Sequence, residues 1–230
     1  MADSQRALGQ TRLVFEKLRQ NIIQGVAEPG AKINIALVAD EHNVSPGAVR
    51  EALAMLEAES WVISEPARGY RVSQVSEKAL RDLVQARVEV EKLCIAEAIR
   101  HGDLVWEGGI VAAFHRLSRM PERDSQSPEM LSSEWVASHA LFHHALVAGC
   151  PNSWLLRLHR MLYEQSERYR YLSVRAPGSG TRDVLSEHKG LVDAVLNRDI
   201  QTATERIGRH LEETAKRVIP SSRQLLAEDK

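Results

Sequence analysis

The sequence predicts a mainly α protein in two parts, an N-terminal winged helix-turn-helix and a C-terminal all-α antiparallel helical bundle. Three observations carry that reading. Two short helical stretches flank a tight turn over residues 34–58, a hairpin-like pair of apolar runs follows, and everything beyond residue 76 shows apolar spacing of helical period.

The first helix is expected over residues 12–24, where Leu13, Val14, Leu18, Ile22 and Ile23 share a helical stripe that ends at Gly25 or before Pro29-Gly30. Asn34 can cap a short second helix through Leu37, Val38 and Ala39, and His42-Asn43-Val44 makes the turn. Ser45 supplies the next N-cap and Pro46 suits the first helical position, so a third helix opens with Val49, Ala52, Leu53 and Leu56 on one face. Trp61-Val62-Ile63 and Tyr70-Arg71-Val72 read as two strands around the turn Glu65 to Gly69. The polar run from Ser73 to Glu77 ends this part, which gives domains at residues 1–75 and 76–220 and a polar tail at 221–230.

The second part divides into six helical segments with stops at Gly102, Pro121, Gly149-Cys150-Pro151, Pro177-Gly178 and Pro220. Asp103, Asn152, Thr181 and Asp199 can cap the segments that follow them. Gly108 and Gly109 weaken the segment around Trp106 by roughly a kcal/mol each.

Of the 230 residues, 43% are hydrophobic and 27% charged, enough to bury real cores. No apolar run approaches the ~18 residues that a membrane span requires, and the start MADSQRALGQ has no signal-peptide character, so a cytoplasmic protein with no membrane partner is expected. Cys94 and Cys150 have apolar neighbours and read as core residues of a reducing compartment. Net charge is −1, which argues against indiscriminate nucleic-acid binding, so any DNA-reading cations must be local.

Those cations are identifiable. The third helix is expected to expose Ser45, Gly47, Ala48, Arg50 and Glu51 near its N-terminus, the end that a recognition helix inserts into the major groove. Small residues there let the backbone come close, and Arg50 carries a planar guanidinium suited to a guanine edge or a phosphate. Arg68 and Gly69 at the wing turn are candidates for an adjacent backbone contact. The bland alternative makes both arginines solvated surface charges on a protein-docking module.

Four of the nine histidines sit on apolar stripes. Val136, His139, His143 and Leu146 share one helical face, Leu185, His188, Val192 and Val195 a second, and Ala203, Ile207, His210 and Leu211 a third. Imidazoles from three helices converging on one interior suit a divalent transition metal, zinc or nickel, with positions left for water or ligand. The alternative is a metal-free cluster hydrogen-bonded internally or to an anion. His42, His101, His115 and His159 are expected at the surface or its boundary. Arg87 falls on the stripe Leu80, Leu83, Arg87, Val90, Cys94, where a guanidinium needs an anion, either Glu91 or a ligand carboxylate. Gln165, Tyr169 and Arg170 are candidates to complete such an effector pocket.

The run Val44-Ser45-Pro46-Gly47-Ala48-Val49-Arg50-Glu51-Ala52-Leu53, with Leu56-Glu57 and the wing Arg68-Gly69-Tyr70-Arg71-Val72, resembles the GntR family of bacterial transcriptional regulators. Pro46 stands where many members carry an arginine, and Ile35-Ala36 replaces a common acidic-Arg pair. Asp82 through Glu91, Phe142-His143, Glu187-His188 and Arg209-His210 resemble the FCD effector domain of the FadR subfamily. That resemblance implies a metal held by one Asp or Asn and three histidines, with a carboxylate effector on it, and His139 stands here at the carboxylate position. The His139-x-x-x-His143 spacing with Arg168-Tyr169-Arg170 is similar to the carbon-starvation subgroup, which implies short dicarboxylic acids such as glutarate.

The function expected is therefore a repressor homodimer on double-stranded operator DNA, controlled by a small carboxylic acid. A metal-dependent hydrolase is the competing class, but His139-Ala140-Leu141-Phe142-His143 lacks the glutamate of H-E-x-x-H. A helical docking protein without DNA binding is the third.

Overall fold

The computed structural model describes residues 2–127, 130–174 and 182–222. They divide after Ser76 into two compact units.

The first unit holds α1 (Ala2–Ile23), β1 (Lys32–Ile33), α2 (Ile35–His42), α3 (Pro46–Ala58), β2 (Val62–Glu65) and β3 (Gly69–Val72). Its caps follow from local chemistry. Asn34 Oδ1 accepts from the Ala36 and Leu37 amides, Asn43 takes the left-handed conformation (φ 50°) that ends α2, and Ser45 Oγ accepts from the Ala48 amide at 3.2 Å. Val14, Leu18 and Ile22 of α1 are buried, as are Val49, Leu53 and Leu56 of α3 and Trp61. The wing has three antiparallel strands in the order β1-β3-β2, with Lys32 opposite Arg71 and Val62 opposite Val72. Sequence periodicity does not find β1, because two residues are too few to show alternation. The strand exists because Gly30 (φ 76°) turns the chain back so that its amide bonds Val72 O.

Among the described residues the second unit holds six helices: α4 (Glu77–His101), α5 (Leu104–Ser118), α6 (Ser133–Val147), α7 (Ser153–Val174), α8 (Val184–Leu196) and α9 (Ile200–Ser222). Asp103, Asn152 and Asp199 cap as expected, accepting from the amides of Trp106, of Trp154 and Leu155, and of Thr202. Thr181, Pro177-Gly178 and most of the expected tail lie outside the described residues, and the cap of α8 is Asp183, whose side chain accepts from Ser186 N. α9 runs two residues past Pro220. α5 is continuous through Gly108 and Gly109, held by burial of Trp106, Ile110 and Leu117 on its inner face. α4 packs on α7 and α9, and α5 packs on α6 and α8, around a core that includes Ile95, Phe142, Leu146, Leu191 and Ile207. Both cysteines are buried and free. No described helix is long and apolar enough to cross a membrane.

Candidate metal centre and DNA-reading surface

At the N-terminal end of α3 the cap Ser45 and the helical residues Gly47 and Arg50 are exposed, and so are Arg68 and Gly69 at the wing turn. Ala48 is not part of that surface. It is buried, because it lies one turn before Ala52 on the stripe that packs inward, and its amide serves the Ser45 cap. Glu51 accepts from Thr11 Oγ1 at 2.9 Å, which ties α3 to α1.

In the second unit, His139 and His143 project from successive turns of α6, His188 from α8 and His210 from α9. One nitrogen from each ring lies within 4.8 Å of the others, and all four rings are buried. Ring centroids stand 4.5 Å apart for His139 and His143 and 4.7 Å for His188 and His210. Burial first, then neighbouring cations, holds His139, His143 and His188 well below the ordinary imidazole pKa of 6.5. Burial also lowers His210, against the opposing pull of Glu187. The rings are therefore neutral near pH 7, each with one lone pair. Both nitrogens of His143, and Nε2 of His188, are buried without a hydrogen-bond partner. Such orphaned polar atoms cost free energy in a closed core and need a reason. Neutral nitrogen donors around a shared point fit a borderline metal such as zinc or nickel.

The cluster is braced from two sides. On one, His210 Nδ1 lies 2.9 Å from Glu187 Oε2, and Arg182 grips both oxygens of that carboxylate while bonding Thr214 Oγ1 and the His210 carbonyl. Burial raises the Glu187 carboxyl, but hydrogen bonds from His210 and Arg182 outweigh it and hold it at about 2. On the other side, Tyr163 Oη is 3.1 Å and Arg170 Nη1 2.9 Å from His139 Nδ1, and Arg170 pairs with Glu167 at 2.8 Å.

Arg87 meets Glu91, with Nε and Nη2 at 3.2 and 3.0 Å from Oε1, while its Nη1 donates to Ser166 Oγ at 2.6 Å. Its guanidinium also lies over the Tyr163 ring, 4.7 Å from the centroid. Glu91 is fully buried. Burial pushes its carboxyl up, yet Arg87 and His159 hold it at about 2. His159 is thus no surface group: it is buried, with Nε2 3.5 Å from Glu91 Oε1, because the inward stripe of α7 begins with it. That stripe is His159, Tyr163, Ser166, Glu167 and Arg170, at i, i+4, i+7, i+8 and i+11, a spacing legible in the sequence. Gln165 and Tyr169 fall off it by helical phase: Gln165 is half-buried, and Tyr169 is buried under the Arg168 guanidinium. A cavity of about 240 Å³ reaches His188 and Trp135, lined also by Leu117, Met120, Leu185 and Arg182.

A winged helix-turn-helix followed by an all-helical domain recurs in known proteins. The profile of bacterial regulatory proteins of the gntR family matches residues 10–72, and that of the FCD domain matches residues 82–213. The chain belongs to the GntR family of bacterial regulators. As a GntR regulator with an FCD domain it is 35% identical over 198 residues to the uncharacterized HTH-type transcriptional regulator BphR of Paraburkholderia xenovorans (strain LB400), a match covering 86% of this chain and 80% of that protein. It is 34% identical over 200 residues to the HTH-type transcriptional repressor GlaR of Escherichia coli (strain K12), covering 86% and 90%. The same fold occurs in E. coli McbR/YncC, with TM-score 0.76 and 17% identity over 92% of this chain and 97% of that one. This GntR protein is a DNA-binding transcriptional regulator and not an enzyme, so the hydrolase alternative falls.

Proposed function

We propose that this GntR regulator is a cytoplasmic repressor, a homodimer on double-stranded operator DNA, controlled by a small carboxylic acid that binds beside a divalent metal in the helical domain. One observation carries the reading: four buried imidazoles from three helices meet, and both nitrogens of His143 and Nε2 of His188 are without a hydrogen-bond partner, which closed cores otherwise avoid. His139, His143, His188 and His210 line the metal site, zinc being the first candidate and nickel the second. When bound, the metal supplies a Lewis-acidic anchor for one carboxylate oxygen. Arg170 is the guanidinium nearest the cluster and the first candidate to meet the acid. Arg87 acts one side chain farther back, through Tyr163, and Gln165 and Tyr169 have at most a bordering role.

Exposed Ser45, Gly47 and Arg50 of α3 read the operator and Arg68-Gly69 of the wing contacts its backbone, with Ala48 in support. The repressor reading is favoured by the likeness to the transcriptional repressor GlaR, which is 34% identical to this chain over 200 residues. Short dicarboxylic acids such as glutarate are the effectors to try first. An acid shifts operator binding only by binding one conformational state more tightly than the other.

The decisive experiment takes protein purified without chelator or nickel resin. Elemental analysis and native mass spectrometry should find about one transition-metal ion per subunit in a dimer, and gel shifts should show operator release on adding the acid. Protein free of metal that nevertheless responds to the acid would refute the metal-anchored reading.

A further inference from the structure

We infer that the four imidazoles divide three to one: His143, His188 and His210 offer lone pairs to the metal, while His139 turns an N–H toward whatever the metal holds. This rests on the metal reading above and deepens it.

The division follows from what surrounds each ring. A neutral imidazole has one N–H and one lone pair, and a guanidinium has donors only. Arg170 Nη1 lies 2.9 Å from His139 Nδ1, so Nδ1 accepts and the ring's single proton is on Nε2. A proton on Nδ1 would face the guanidinium donor against donor. While that contact stands, neither nitrogen of His139 has a lone pair to give. The contact is fixed from behind, since Glu167 pairs with Arg170 at 2.8 Å and the guanidinium lies over the Tyr163 ring.

His210 is held in the opposite sense. Its Nδ1 is 2.9 Å from an ionised carboxylate, so the proton is on Nδ1 and the lone pair on Nε2. Arg182 Nη2 also approaches Nδ1, at 3.2 Å, but it has Glu187 Oε2 and the His210 carbonyl to bond instead. Nε2 of His188 and both nitrogens of His143 are buried with nothing to bond. Three imidazoles leave zinc a position for an anion. An N–H next to that position favours a ligand with an acceptor oxygen, which suits a carboxylate better than a thiol or an amine.

The test measures zinc affinity of the full chain, stripped of metal, by competition with a chromophoric chelator. His143→Ala should lose at least about 100-fold, whereas His139→Gln, which keeps an N–H donor, should stay within about threefold of the parent. Thermal melting of the metal-free proteins verifies folding. X-ray absorption of the zinc-loaded parent gives an independent reading that needs no variant and should count three imidazoles. A loss in His139→Gln as large as in His143→Ala, or four imidazoles in the spectrum, overturns the division but leaves the metal site standing. A parent chain that binds no zinc removes the metal reading itself and the division with it.

Discussion

Glu187 Oε2 sits 2.9 Å from His210 Nδ1, and that single contact decides which nitrogen of His210 is free. The carboxylate comes from α8 and the imidazole from α9, so the tautomer is set across two helices. Glu187→Gln keeps the shape and removes the charge. Zinc affinity should fall about 10- to 100-fold, in the range typical of groups that orient metal-bound histidines. Chelator competition measures it, and an unchanged affinity would show that Glu187 serves packing alone.

Arg50→Ala should remove operator recognition and leave the fold intact, because the side chain is exposed on α3. Loss of one arginine contact to a base is worth about 1–3 kcal/mol, so gel-shift affinity should drop by about one to two orders of magnitude at fixed salt. Circular dichroism should show an unshifted melting curve.

Arg87 and Glu91 form a pair with side chains 5% and 0% exposed, so losing one partner strands a buried charge. Arg87→Met should cost about 3–5 kcal/mol in denaturant unfolding. The double variant Arg87→Met, Glu91→Leu should recover most of that loss, since a buried ion pair is stabilising mainly by being complete. Failure of the second substitution to rescue would point to Ser166 and Tyr163 as the partners that matter.

Stability should fall with acid in two steps. The buried histidines have folded-state pKa values below 6.5, so beneath pH 6.5 the unfolded chain takes up more protons and the folded state loses ground. The second step belongs to Glu91, whose carboxyl is held at about 2 against an ordinary 4.5. Its contribution, on the order of 3 kcal/mol, is present above pH 4.5 and disappears as pH falls toward 2. Urea denaturation across pH 3–8 should show the first loss in the parent and a diminished second loss in Glu91→Gln. Bound metal should deepen the first step, because protonation competes for the same lone pairs.

Local chemistry is what the sequence expresses directly. Ser45 before Pro46, Asn34 before a short apolar stripe and Asp103 after Gly102 each state a helix start within a few residues, and each is where the structure places it. The same periodicity carried His139, His143, His188 and His210 to inward faces, since one face per helix is a property of its own residues. Ala48 and His159 were misplaced for a related reason. Both belong to the inward stripe of their helix, and their burial comes from the helices packed against that stripe, α1 on α3 and α4 on α7.

By itself, then, the amino-acid order determined every element but β1, most of their caps, the family and the four imidazoles, because all of these are written within a turn or two of chain. Tertiary structure alone decided the partners. It set Arg87 on Ser166, Arg170 on His139, and Glu187 on His210, contacts that span up to 79 residues. A proton's position on an imidazole depends on what lies 3 Å from it, and helices distant in sequence supply those neighbours only once they pack.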